Sequence, residues 1–263
     1  MKMKNDLTKL KLIGKVKSLT EIYFKAVDKF GEIQKGYIMY TYNFFFNDKG
    51  NEIEWNKYET EGGSSYITNK WICKCNKKGD RIEEIHYNPD GSLGEKFTFK
   101  YDDKGNQIEK SWYNSKCNNG SLYFKFTYKY DNKENQIEEN CYYPDGNLFD
   151  KWFYKYNDHG NMIEDSYHNP NGSLIYKDIY MYDDYGNMIE ENCYNPDLCN
   201  KVTYNYDDKG NQIERCDYAL ENSLYYDKKT YKYDYDNTGN WIKKTYFKNG
   251  IPQTITVREI VYY

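Results

Sequence analysis

The chain has 263 residues with 37 basic and 41 acidic side chains, a net charge of −4, and both signs are interspersed without a basic stripe. Phosphate recognition needs clustered Lys and Arg, so a nucleic-acid partner is excluded. Tyr alone accounts for 33 residues, so the apolar supply is aromatic, and each ring brings a hydroxyl that needs a partner.

At the N-terminus, Met1 to Lys17 has lysines but no continuous apolar stretch, so no export signal is visible. No run approaches the length of a membrane helix, and the expectation is a chain without a membrane span, cytoplasmic by default. Val16 to Phe24, the turn at Asp28 to Gly31, and Tyr37 to Phe46 form a degenerate opening hairpin. Residues 1–36 therefore read as a cap, residues 37–247 as repeats, and residues 248–263 as a closing strand, all in one domain.

The repeats align on a turn of the form Asp-x-x-Gly-Asn, anchored at Gly50, Gly79, Gly105, Glu134, Gly160, Gly186, Gly210 and Gly239. The period is about 27 residues. Ile stands three positions after every anchor, from Ile53 to Ile242, and Glu stands four after it at Glu54, Glu83, Glu109, Glu138, Glu164, Glu190 and Glu214. Positions four, six and eight before each anchor are aromatic, except at Cys73, Cys75, Asp178 and Val202, with polar residues between. A period of two in β-formers is a half-buried strand. Each unit thus holds two strands joined by turns such as Asn88-Pro89-Asp90-Gly91, and the rings and isoleucines are expected on one buried face.

The predicted fold is all-β: tandem antiparallel hairpins, about eighteen strands, in a long curled or spiral meander sheet. A closed barrel or a propeller is the alternative. Four-stranded blades would need a doubled period that the spacings do not sustain.

Tyr101-Asp102-Asp103-Lys104-Gly105-Asn106 recurs as Tyr182 to Asn187 and as Tyr206 to Asn211. This string resembles the YD repeat of the RHS family, over roughly residues 37 to 247. The resemblance implies bacterial, non-catalytic β-sheet spirals that act as surface or encapsulating scaffolds, some of them carbohydrate-binding, and a surface or secreted location.

No residue stands out as catalytic, and no cofactor or metal set is visible. His86, His159 and His168 form no ligand motif. The seven cysteines lack zinc-ribbon spacing and read as small strand side chains. A carboxylate repeated in every unit suits cross-strand pairing with Lys better than catalysis. The expected function is a non-enzymatic scaffold whose extended surface meets another protein. The alternative is carbohydrate binding by exposed rings, with Trp112, Tyr142 and Trp241 as candidates because they lie outside the main ladder.

Overall fold

A computed structural model describes residues 6–115, 120–195, 198–219 and 226–263. A short helix, α1 (Asp6–Lys9), precedes eighteen strands. These are β1 (Val16–Lys29), β2 (Glu32–Phe46), β3 (Glu52–Glu61), β4 (Ser64–Cys75), β5 (Arg81–Tyr87) and β6 (Leu93–Tyr101). Then follow β7 (Gln107–Asn114), β8 (Leu122–Tyr130), β9 (Gln136–Tyr142), β10 (Leu148–Tyr156), β11 (Met162–His168) and β12 (Leu174–Tyr182). The last are β13 (Met188–Asn195), β14 (Leu198–Tyr206), β15 (Gln212–Ala219), β16 (Tyr226–Tyr235), β17 (Trp241–Lys248) and β18 (Ile251–Tyr262).

Each strand pairs antiparallel with the next, and β1 pairs with β18 from Val16↔Tyr262 to Lys25↔Thr254. The sheet is therefore a closed barrel. The all-β expectation holds, but the open spiral does not: no edge strand is left, because the first and last strands satisfy each other.

The repeated turn explains the curl. Asp102 Oδ1 accepts from the Asn106 amide at 2.7 Å, and Gly105 has φ 80°. After the turn Gln107 pairs with Tyr101 and Glu109 with Lys100, so Ile108 has no opposite residue. The same skip occurs at every anchor, for example at Ile53, Ile82 and Ile213. Each invariant Ile is thus the extra residue of a β-bulge, which bends the strand and tightens its twist. Eight bulges at one rim curve the wall toward closure. The bulge also overturns the expected placement of the isoleucines. The inserted residue leaves the aromatic face, and Ile53, Ile82, Ile108, Ile189, Ile213 and Ile242 are all 36–41% exposed.

The face that points inward is identified by α1 and the residues after it. Asp6 accepts from Arg81 on β5, and Lys11 Nζ donates to Gly210 O between β14 and β15. Along the wall through β1 those anchors lie eight strand spacings apart, roughly 38 Å at ~4.8 Å each. Residues 6 to 11 span at most about 18 Å. Only a chord through the interior connects them. Leu7 and Leu12 pack with Val16, Leu19 and Phe46, the main buried aliphatic cluster, so this segment caps the barrel at the bulged rim from inside.

The rings share the inward face with Arg81 and Phe46. The accessible surface is 15990 Å². A compact chain of this mass would expose about 12,000 Å². Barrels of this strand number leave a channel, and a solvent-lined inner wall adds to the exposed surface.

Candidate functional site: the inner wall

Register places the five tryptophans, Trp55, Trp71, Trp112, Trp152 and Trp241, on the inward face. Trp55 and Trp71 stack at 5.7 Å and 16°, Trp71 and Phe97 at 6.0 Å and 18°, and Phe97 and Trp112 at 5.8 Å and 24°. This run crosses β3 to β7. Near-parallel stacking turns ring edges, rather than free faces, toward the lumen.

The tyrosine hydroxyls find their partners in the wall itself. Tyr101 donates to Arg81 O, Tyr130 to Gln107 O, Tyr156 to Gln136 O, Tyr182 to Met162 O and Tyr206 to Met188 O, at 2.6–2.8 Å. Each acceptor is a backbone carbonyl at the bulge of the preceding hairpin. This explains Tyr rather than Phe four residues before the anchor: the hydroxyl satisfies a polar group that the bulge disturbs.

Charged groups interrupt the rings in three places. Beside α1, Arg81 meets Glu84 at 2.8 Å, Asp6 at 3.3 Å and Glu52 at 3.5 Å. Burial lifts the Glu52 carboxyl to about 7; Arg81 opposes the rise, and Asp6 and Glu84 add to it. A recess of about 400 Å³ here is lined by Trp71, Phe97, Phe99, Lys9 and Lys110 among others.

At the closing seam, Arg258 of β18 donates to Glu21 of β1 at 2.8 and 2.9 Å and lies 3.4 Å over the Trp241 ring. Tyr23 donates to the other Glu21 oxygen at 2.6 Å. Burial lowers the affinity of Lys244 and Arg258 for their protons, and Glu21 works against this.

Over β9 to β13 the wall carries Glu139, Asp150, Asp165, Asp178 and Glu191. Burial raises the pKa of Glu139, Asp150, Asp165 and Asp178. Ligand atoms of Asp178, Glu191 and Cys193 lie within 4.8 Å of one another.

The outer face has different chemistry. Glu109 bridges Lys100 and Lys125 at 2.7 Å each, and Glu164 bridges Lys155 and Lys177 at 2.8 and 2.9 Å. Each Glu ties its own hairpin to the next, as the cross-strand reading expects. These pairs hold Glu83, Glu109, Glu138, Glu164, Glu190 and Glu214 below the usual carboxylate range, against some burial.

The three sequence candidates do not form one site. Trp112 is inward, edge-on to Tyr123 at 4.8 Å, and its indole N–H has no hydrogen-bond partner among the described residues. Trp241 is inward but covered by Arg258 and 7% exposed. Tyr142 pairs with Lys125 and faces outward. Sequence reasoning missed α1 and the inward charges. The only local sign of the cap was the spacing of Leu7, Leu10 and Leu12.

No protein-family model and no curated protein matches the chain. Among solved structures it is similar to a porin-like protein from Bacteroides uniformis ATCC 8492, at TM-score 0.51 and 10% identity, over 94% of this chain and 98% of that one. It also matches the TcdB2-TccC3-Cdc42 structure at TM-score 0.42 and 13% identity, over 91% of this chain and 14% of that one. A porin-like protein from Bacteroides vulgatus ATCC 8482 matches at TM-score 0.35 and 11% identity, over 95% and 99%.

The first similarity concerns the fold, a closed antiparallel barrel. A closed barrel overturns the ground on which no membrane span was expected. That expectation rested on the length of apolar runs, which is a criterion for helices. No helix of the described residues is long and apolar enough to cross a membrane, and this says nothing about strands.

Proposed function

We propose that the protein is a non-catalytic hollow barrel that holds a small guest against its aromatic inner wall. The observation that carries this reading is the common inward direction of the ring ladders, the five tryptophans and three charged clusters in one closed wall. Such a lumen combines apolar area with a few fixed polar groups, the makeup of a ligand site. On the outer face Glu109 and Glu164 are each matched by two lysines. The resemblance to YD repeats, whose larger members enclose cargo, points the same way. A sugar is one candidate guest, although the stacked rings would meet it by their edges.

Anilinonaphthalene sulfonate tests the reading, because an inward dye quenches the inward tryptophans by energy transfer. Saturable transfer that falls in Trp71→Phe and Trp112→Phe supports a lumen site. Transfer that never saturates, or that ignores both substitutions, overturns it.

A second reading, a barrel that crosses the outer membrane, takes its support from similarity to a porin-like protein. Membrane barrels carry an outward apolar band about 25 Å tall. The Glu–Lys ladder would have to lie outside that band. Discrete conductance steps in a planar bilayer would support this reading, and their absence after verified insertion would remove it.

A further inference from the structure

We propose that the inner wall over β9 to β13 binds an elongated organic cation, a linear polyamine, through Glu139, Asp150, Asp165, Asp178 and Glu191. The proposal rests on the reading of the lumen as a guest site and names the class of guest.

The five carboxylates stand on five consecutive strands and point the same way. Cross-strand pairs Asp150↔Cys141, Trp152↔Glu139, Asp165↔Asp178 and Asp178↔Cys193 fix the register. Among the described residues, the inward positions of β10 to β14 carry no Lys, Arg or His. Elsewhere on the wall acids face cations: Glu21 meets Arg258, Glu84 and Asp6 meet Arg81, and Asp217 meets Arg215. At the two ends of the arc Lys110 acts on Glu139 and Arg215 on Glu191, and the three acids between them, Asp150, Asp165 and Asp178, are paired with no cation among the described residues.

Tyrosines hold the acids in place without neutralising them. Tyr154 donates to Glu139 at 3.1 Å, Tyr167 to Asp150 at 3.0 Å, Tyr180 to Asp165 at 2.9 Å and Tyr204 to Glu191 at 2.5 Å. A hydroxyl takes one lone pair of a carboxylate and leaves others for a second donor.

Asp150 supplies an independent pointer. It is 3% exposed, and among the described residues its Oδ1 has no hydrogen-bond partner. A buried acceptor left empty is costly, and a donor from a guest removes that cost. An ammonium group is such a donor, charge-assisted against a carboxylate and attracted to ring faces. Trp152, Tyr167 and Tyr176 supply neighbouring rings at 4.9 and 5.2 Å.

The spread of the acids selects the shape of the guest. Four strand spacings cover roughly 19 Å at ~4.8 Å each. One metal ion cannot touch such a row. It could engage only Asp178, Glu191 and Cys193, the group whose ligand atoms come together. A chain of ammonium groups separated by methylenes matches both the acids and the rings between them.

Calorimetric titration of the full chain with spermine at low salt tests the proposal, with circular dichroism confirming the fold of each variant. Saturable binding is expected, weakened at least tenfold in Asp165→Asn/Asp178→Asn. The outer-face variant Glu164→Gln should keep the affinity. Equal affinity in the double variant overturns the proposal. So does weakening by Glu164→Gln alone, or a response to zinc but not to spermine that disappears in Cys193→Ser. The dye experiment separates the two levels: dye binding without spermine binding defeats the cation site alone, and failure of both defeats the lumen reading with it.

Discussion

Ile163 stands between Met162, which pairs with Tyr156, and Glu164, which pairs with Lys155, and has no residue opposite it. Strict alternation would put Ile163 with Asp165 and Tyr167 on the ring face. One inserted residue shifts that parity, so the Ile and the Glu after it both leave the ring face. Ile163→Asp should therefore cost about 1 kcal/mol, the scale of a partly exposed strand position. Leu19 is 0% exposed under the cap. Leu19→Asp should cost several kcal/mol, on the order of an unpaired buried charge. Urea midpoints compare the two, and equal losses would place the isoleucines back in the core. The Ile at every anchor was plain in the sequence, and so were the rings and turns. The parity shift was not, because a bulge shows only in the pairing between strands.

The seam between β1 and β18 turns a meander into a barrel. Glu21 and Arg258 are 237 residues apart, and their side chains are only 9% and 4% exposed. Removing one partner of a buried pair strands the other charge, at about 3–5 kcal/mol. Glu21→Gln should destabilise the chain by that amount, whereas Glu21→Met/Arg258→Met should recover most of it by replacing the pair with apolar contacts. Urea unfolding of both variants checks this, and a single variant no weaker than the double would show that the seam does not depend on the pair. Strand number and strand type were legible from the period and the turn residues. Closure was not. It depends on the accumulated bend of eight bulges and on one contact between the chain ends, which no local pattern encodes. The cap was hidden for a similar reason: α1 has four residues, too few for a helical period, and Asp6 gains meaning only beside Arg81.

Across the whole molecule the outer glutamates and the desolvated inner acids respond to pH in opposite directions. Outer glutamates such as Glu83 and Glu109 have lowered pKa values, so their contribution is present above the unfolded carboxylate range and is lost as pH falls through the folded values. Glu52 and the acids of β9 to β12 behave in reverse, while Asp6 and Asp217, held by neighbouring cations, follow the outer pattern. The folded Glu52 carboxyl titrates near 7, above its ordinary 4.5, so the folded state holds its proton longer than the unfolded chain does. Stability from that site is present below about 4.5 and is lost as pH rises through about 7. Glu139, Asp150, Asp165 and Asp178 are raised as well and add to the same loss. The urea midpoint should therefore fall between pH 5 and pH 8, while Glu52→Gln should flatten part of that fall and raise stability at pH 8 by up to about 3 kcal/mol. A wild-type midpoint that climbs over this interval would mean that the inner wall is not desolvated as its burial implies. The remaining slope connects to the guest. A polyamine binds the ionised acids, so its stabilisation of the folded barrel should grow as the arc loses its protons, opposing the fall that the empty wall shows.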